Sequence, residues 1–305
     1  MEQAVRRILI TGVNSYVGNS VEAYLKEYNS VQGRELYRVG KCSLREKSWE
    51  QESWNGYDAV LHMVGIAHAD IGHVSEETKR RYYEINRDLA VRAAEKAKRE
   101  GVRQFVYMSS VIVYGDSATV GKGKKITEET EPSPANFYGD SKWQAEKALK
   151  KLEDASFAIA IVRAPMIYGR GSKGNFPLLA KLAEKTPIFP SINNERSMLY
   201  IENLAEFFRL LVESGRGGVF FPQNREYVTT SQMVQMIAAA KGQRIRPWRV
   251  INPLVKLAGK MPGKIGGMVN KAFGSLTIDQ ELSVRDIDGY RRYSLEESIG
   301  RIYES

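Results

Sequence analysis

Short apolar runs alternate with longer stretches of helical periodicity through the first half of the chain. The runs at 7–11 (RILIT), 35–39, 58–62 (DAVLH), 104–109 (QFVYMS) and 157–163 (FAIAIVR) have the length and composition of strands buried on both faces. Between them, helical spacing occurs at about 16–28, 76–100 and 136–153. In the second of these, Leu89, Ala90, Ala93, Ala94 and Ala97 form one apolar face, charged residues fill the other, and Gly101 supplies a stop. Such alternation predicts an α/β fold, a doubly wound parallel sheet with helices on both faces. After about residue 165 the pattern loosens. Helical segments near 176–185, 200–213, 230–241 and 295–303 are joined by Gly- and Pro-containing loops, which predicts a smaller, mostly C-terminal domain. No internal repeat, low-complexity tract or autonomous linker interrupts the chain.

Composition narrows the classes. With 305 residues, 43% apolar and 27% charged, the chain has enough apolar material for a sizeable core, which excludes disordered and fibrous classes. Cys42 is the only cysteine, so no intramolecular disulfide or cysteine-built metal site forms, and a reducing compartment is expected. No secretory signal is read in the first residues and no apolar stretch is long enough for a bilayer, so the expected location is cytoplasmic. The 45 Lys+Arg against 36 Asp+Glu leave a formal charge of +9, which points to anionic partners: nucleic acid, an acidic membrane or a phosphorylated small molecule. A basic surface that only aids solubility is the fourth reading. Nucleic acid is set aside, because no helix-turn-helix, zinc-finger or RNA-binding motif is present.

Two patterns carry chemistry. The strand 7–11 runs into Thr11-Gly12-Val13-Asn14-Ser15-Tyr16-Val17-Gly18 and then a helix. A glycine turn in that position lets backbone N–H groups approach a pyrophosphate at the positive end of the helix. The second is Tyr138-Gly139-Asp140-Ser141-Lys142, whose four-residue spacing sets both side chains on one helix face, continued inward by Ala145, Leu149 and Leu152. Tyr37 and Lys41 share that spacing within a predicted strand, where the side chains stand well apart, so helical context decides between the two pairs.

With these motifs the chain resembles the extended short-chain dehydrogenases/reductases, the family of NAD(P)-dependent nucleotide-sugar epimerases and dehydratases, which implies a Rossmann fold. Gly12 and Gly18 match the first and last glycines of that family's Thr-Gly-x-x-Gly-x-x-Gly loop, with Ser15 in place of the middle one. The resemblance implies cofactor contacts from Gly12, Asn14, Ser15, Tyr16, Val17 and Gly18. It also implies them from Val64 and Gly65 after the strand at 58–62, from Asn86 in Tyr83-Glu84-Ile85-Asn86, and from Pro165 in Arg163-Ala164-Pro165-Met166-Ile167-Tyr168-Gly169. Ser43 stands near the family's NAD-selecting acid, Arg45 follows, and no carboxylate occurs between Glu35 and Glu46, which favours NADP over NAD.

The same resemblance implies the catalytic set. Hydride transfer at a carbinol carbon requires a proton moved at its oxygen. Tyr138 is the expected acid/base, with a nearby ammonium, Lys142, expected to lower the phenol's pKa and, by resemblance, to hold the nicotinamide ribose. Ser110, in Ser109-Ser110-Val111-Ile112-Val113-Tyr114-Gly115, matches the hydroxyl that orients the substrate. Asn175 and Arg196 match the family's nucleotide contacts, and a guanidinium fork suits a diphosphate. His62 and His68 present no third ligand, so no metal is expected.

These matches cover about the first two-thirds of the chain. The expected division is a cofactor domain over 1–165, with 196–222 returning to it, and a substrate region from 166–195 and 223–305. The leading functional reading is a 4-epimerase acting at C4 of a UDP-hexose; an NADPH-dependent 4-keto nucleotide-sugar reductase is the alternative, and a non-catalytic dinucleotide-binding sensor or scaffold is the reading from another class. Dehydratase chemistry is disfavoured, since Val111 and Ile112 stand where 4,6-dehydratases carry Asp-Glu. A homodimer through a two-helix face is a further family expectation. From Lys241 through Ile278 there are eight basic residues (Lys241, Arg244, Arg246, Arg249, Lys256, Lys260, Lys264, Lys271) and no acid, which supplies nearly the whole charge surplus. A basic rim or lid of the substrate cleft is the preferred reading there, with a plain solvated face as a second and an anionic membrane surface as a further one.

Overall fold

The structure is a computed structural model that describes residues 4–67 and 74–304. Two compact units are present. The first runs through Gly115 and adds Pro132–Ala164 and Leu204–Pro222; the second comprises Asp116–Glu131, Pro165–Asn203 and the chain from Gln223.

Six parallel strands form the sheet of the first unit: β1 Arg6–Thr11, β2 Tyr37–Cys42, β3 Ala59–His62, β4 Gln104–Ser110, β5 Ala158–Ala164 and β6 Gly218–Phe220, in the order β6-β5-β4-β3-β1-β2. The α-helices are, in chain order, α1 Tyr16–Val31, α2 Glu76–Tyr83, α3 Leu89–Arg99, α4 Phe137–Lys150, α5 Asn175–Lys185, α6 Ile201–Ser214, α7 Thr230–Ala240, α8 Asn252–Gly259, α9 Lys264–Phe273, α10 Gln280–Val284 and α11 Leu295–Tyr303. The middles of the central strands are apolar, as strands covered on both faces must be: Ile8, Ile10, Val60, Leu61, Phe105 and Val106 are fully buried. Ala93, Ala94 and Ala97 of α3 pack into the same core as Ala145 and Leu149 of α4.

Three departures from the sequence pattern have local causes. Strand β2 begins at Tyr37 rather than 35, because Asn29 clamps its start: its Oδ1 accepts the N–H groups of Leu36 and Tyr37, and its Nδ2 donates to the Tyr37 carbonyl. The edge strand β6 was not expected; it has three residues, too few for any period to register. The helix expected over 76–100 is instead α2, a π-helical turn at Glu84–Asp88, and α3.

The second unit holds three two-stranded parallel ladders: 125–126 with 277–278, 166–168 with 198–200, and 188–190 with 246–248. The expected domain boundary moves accordingly at two places. Residues 116–131 belong to this unit, where Lys125–Ile126 pairs with Thr277–Ile278, and so do residues 196–203, where Arg196 bridges to Val228 and Leu276. Helices α7 and α11 start in capping boxes, Thr229 with Gln232 and Ser294 with Glu297. Helices α8 and α9 were not expected, since Pro253, Gly259, Gly263, Gly266 and Gly267 break up the pattern there. Among the described residues no helix is long and apolar enough to cross a membrane.

Candidate active site

The strand order reverses at β1, whose neighbours are β2 on one side and β3 on the other, and a ligand crevice in such a sheet lies beyond the carboxyl ends at that point. Gly12 leaves β1 with φ +93°, a conformation that favours glycine. A Cβ there would stand 3.2 Å from Val64 Cγ2 and 3.3 Å from the Met63 carbonyl carbon, so the turns after β1 and β3 touch. The Gly12 N–H donates to the Cys42 carbonyl at 3.0 Å, which draws in the end of β2 as well. Gly18 lets α1 press on β1, since a Cβ would come within 2.9 Å of Ile10 Cγ2. Ser15 is in ordinary extended conformation (φ −70°, ψ 128°) and needs no glycine. Its Oγ accepts the Gly18 N–H at 3.2 Å and caps α1, leaving the hydroxyl proton available to an acceptor. Asn14 is exposed, and Tyr16 and Val17 form the half-buried first turn of α1.

Ser43 follows β2 half-buried beside this turn, and its Oγ accepts the Arg45 N–H at 3.5 Å. The Arg45 guanidinium is exposed and makes no ion pair among the described residues. Lys41 is committed to Glu22 and Asn19 of α1.

The turn after β3 is fixed by Asn86, which is fully buried in the π-helical turn. Its Oδ1 accepts the Ile66 N–H at 2.8 Å, while its Nδ2 donates to the Ile66 carbonyl (3.1 Å) and to Ser141 Oγ (3.0 Å). Both amide hydrogens are therefore spent on the protein, and Asn86 joins the Ile66 backbone to α4 one residue before Lys142. Gly65 completes this contact: a Cβ would lie 3.1 Å from Lys142 Nζ and 3.2 Å from Asn86 Oδ1.

Helix α4 is capped by Asn136, whose Oδ1 accepts the Gly139 N–H at 3.0 Å. Gly139 seats the helix on the exit from β4, because a Cβ would approach the Ile112 carbonyl oxygen to 2.7 Å. Tyr138 packs edge-on to Tyr82, with ring centroids 6.0 Å apart. Burial pushes its phenol up to about 12, Tyr82 adds to the rise, and a hydrogen bond with Ser110 pulls the other way. The expected lowering by Lys142 is absent, for a geometric reason. The Lys142 ammonium donates to the Met108 carbonyl at 2.9 Å and lies 4.6 Å from the centroid of the Tyr107 ring. Burial pushes Lys142 down to about 8, against an opposing pull from Glu146.

Beneath these groups lies a buried network that sequence reasoning missed. Glu146, one helical turn beyond Lys142, pairs with Arg163 of β5 through Oε2 (2.6 Å to Nη2, 3.0 Å to Nε) and accepts from Ser109. Arg163 also donates to the Tyr114 hydroxyl and lies over the rings of Tyr114, Trp143 and Phe221. The available signal was the i, i+4 spacing of Lys142 and Glu146 on the face read as inward.

His62 is fully buried, with Nδ1 3.0 Å from Thr11 Oγ1 and its ring stacked on Tyr107. Burial, then the Lys142 charge, push its imidazole down to about 3, so it is neutral. His68 lies outside the described residues. The remaining expected residues belong to the second unit. Pro165 is buried after β5, and Asn175 is half-buried in the first turn of α5. Arg196 donates through Nη1 to the carbonyls of Lys271 (2.6 Å) and Ala272 (3.4 Å) at the end of α9. It thus has a structural task that the sequence did not show.

Residues 8–221 match the model of the NAD dependent epimerase/dehydratase family. The chain is 32% identical over 228 residues to a UDP-glucose 4-epimerase of Vibrio cholerae, covering 72% of this chain and 68% of that protein. It is 24% identical over 269 residues to an N-acetyl-alpha-D-glucosaminyl-diphospho-ditrans,octacis-undecaprenol 4-epimerase of Escherichia coli O157:H7, covering 83% and 77%. Its fold matches the crystal structure of a dTDP-4-dehydrorhamnose reductase from Bacillus anthracis in complex with NADP, with a TM-score of 0.72, 17% identity, and 98% and 99% of the two chains covered. The glycine turn at the sheet's reversal and the Tyr138/Lys142 helix thus stand in a chain that belongs to the NAD-dependent epimerase/dehydratase family.

Proposed function

We propose that this chain is an NAD(P)-dependent nucleotide-sugar 4-epimerase that transfers a hydride reversibly at C4 of a UDP-hexose. The observation that carries the reading is the Tyr138/Lys142 pair on one face of α4, one turn apart, with Ser110 at the end of β4 near enough to Tyr138 to draw its pKa down. In this reading the pyrophosphate rests on the turn from Gly12 to Gly18, with the Ser15 hydroxyl proton donating to it and Asn14, Tyr16 and Val17 bordering it. Val64 and Gly65 border the cofactor at the turn after β3, and Asn86 holds that turn in place. Pro165, which follows β5, is assigned to the cofactor by its family motif alone. When bound, the nicotinamide would accept the C4 hydride and return it to the ketone. Ser110 orients the sugar hydroxyl, Tyr138 takes its proton and later returns it, and Lys142 donates to the nicotinamide ribose. A phenol held near 12 in the cofactor-free protein is in its acid form, so its conversion to a base belongs to the complex rather than the resting site. Val111 and Ile112 offer no carboxylate for an elimination. Asn175 and Arg196 are assigned to the nucleotide; for Arg196, Nε and Nη2 are the donors not engaged at the end of α9.

A second reading, an NADPH-dependent 4-keto nucleotide-sugar reductase, is favoured by one observation. Ser43 and the uncommitted Arg45 follow β2, where the family accommodates a 2′-phosphate, and no carboxylate occurs between Glu35 and Glu46. Purified protein incubated with UDP-glucose, UDP-galactose or their N-acetyl forms tests both. Interconversion supports the epimerase; net consumption of NADPH with a 4-keto sugar, and no interconversion, supports the reductase. Tyr138→Phe is expected to abolish turnover while leaving cofactor affinity nearly unchanged, and retained turnover would remove Tyr138 from the mechanism.

A further inference from the structure

Seven of the eleven exposed large apolar side chains in the described residues fall between 248 and 268: Trp248, Val250, Leu254, Leu257, Met261, Ile265 and Met268. Val250, Leu254, Leu257 and Met268 keep between 63% and 76% of their surface in solvent. Leu254 and Leu257 are one turn apart on α8, Met261 lies in the loop that follows it, and Ile265 and Met268 repeat the spacing on α9.

The two helices form a hairpin. Asn270 Nδ2 donates to the Gly259 carbonyl at 2.9 Å, and Gly259 packs against Val120, where a Cβ would stand 3.1 Å from Val120 Cγ2. The hairpin therefore has a seated side within the second unit, and an apolar ridge that covers nothing. Around the ridge are the exposed cations Arg244, Arg246, Arg249, Lys256, Lys260 and Lys271, none of which pairs with a carboxylate among the described residues. No acid within 241–278 is available to answer these cations locally, whereas other segments mix both signs, as in the pairs Lys98–Asp154, Arg103–Asp58 and Arg285–Glu128.

We propose that the α8–α9 hairpin seats on an anionic phospholipid surface, its apolar ridge entering the interface and its unpaired cations meeting lipid phosphates. An apolar ridge alone would suit another protein as well. A ridge bordered by six unanswered cations and no acid across 241–278 is complementary to a negatively charged interface, and the seam of Leu, Ile, Met and Trp supplies what enters it.

Flotation of the full chain with phosphatidylcholine vesicles, with and without phosphatidylglycerol, at physiological salt tests this without reference to turnover, so its failure is separable from failure of the epimerase reading. Binding is expected only with phosphatidylglycerol present. Lys256→Glu with Lys260→Glu should weaken it at least about 25-fold, near fivefold for each cation lost. Leu254→Ser with Leu257→Ser should weaken it about tenfold or more at unchanged charge. All four side chains are exposed, and an unchanged thermal melt confirms folding. Absence of flotation overturns the proposal, as does flotation indifferent to the leucine pair. Concentration-dependent self-association abolished by Leu254→Asp would assign the ridge to a second copy instead. Loss of turnover on soluble UDP-sugar in the Lys256/Lys260 variant, with lipid binding intact, would assign the cations to the substrate and overturn it too.

Discussion

Replacing Lys142 by Met should make the cofactor-free protein more stable while ending its activity. Lys142 is 5% exposed, and burial holds its ammonium near 8 against an ordinary 10.5. That gap corresponds to roughly 3 kcal/mol of instability at neutral pH. Methionine has a similar length, fills the space over Tyr107 and carries no charge. The Met108 carbonyl loses its donor, which returns about 1–2 kcal/mol of the gain. A net stabilisation of about 1–2 kcal/mol remains, or roughly 2–6 °C in melting temperature. The pH dependence is the sharper signature. Below about 8 the lysine is charged in the folded and unfolded chain alike, and the full penalty applies. From there to 10.5 the folded protein releases its proton while the unfolded chain keeps it, so the native enzyme gains stability as pH rises. Thermal melts of both proteins, freed of nucleotide, should therefore differ most near pH 7 and converge by about pH 10. A variant less stable than the native chain at pH 7, with a difference that does not change with pH, would refute the assignment of a charged, desolvated lysine.

Gly65→Ala places a methyl 3.1 Å from Lys142 Nζ and 3.2 Å from Asn86 Oδ1, so pyridine-nucleotide affinity should fall about tenfold or more by fluorescence titration with little change in melting temperature; unchanged affinity would count against a cofactor at this turn. Glu146→Gln leaves Arg163 buried without its counter-charge and should cost about 3–5 kcal/mol in denaturant unfolding, whereas Glu146→Leu with Arg163→Met should recover most of that; additive single costs would show that the pair does not act as a unit.

What could be read from the sequence was what repeats or what one residue type alone can do. The buried strands near 7–11, 58–62, 104–109 and 157–163 appear as uninterrupted apolar runs because both faces of the sheet are covered. Gly12 and Gly18 were identified from position, and the structure gives each a steric reason. Tyr138 and Lys142 share a face because the helix has room for no other arrangement. Features made by pairing distant elements were not legible. Glu146 looks like a surface acid until Arg163, from a strand begun after α4 ends, arrives beside it. The direction of the Tyr138 shift also depends on where Lys142 points, and the Met108 carbonyl decides that. In α8 and α9, Pro253 and the glycines Gly259, Gly263, Gly266 and Gly267 interrupt the helical period, and Leu254, Leu257, Ile265 and Met268 face solvent, so no core-facing stripe marks these helices.

The π-helical turn at Glu84–Asp88 changes how this site can be probed. It inserts one residue relative to a regular helix, and a residue of α-helix corresponds to about 100° of rotation. Asn86 reaches Ile66 and Ser141 because of that count as much as because it is asparagine. Removing any single residue from 84–88 would let α2 and α3 fuse into one smooth helix, a gain for the helix itself. It would also swing the amide away from the β3 turn and from α4, releasing two parts of the site at once. Side-chain substitution samples identity and leaves the count untouched, so a scan of this segment by replacement would record only half of what it encodes.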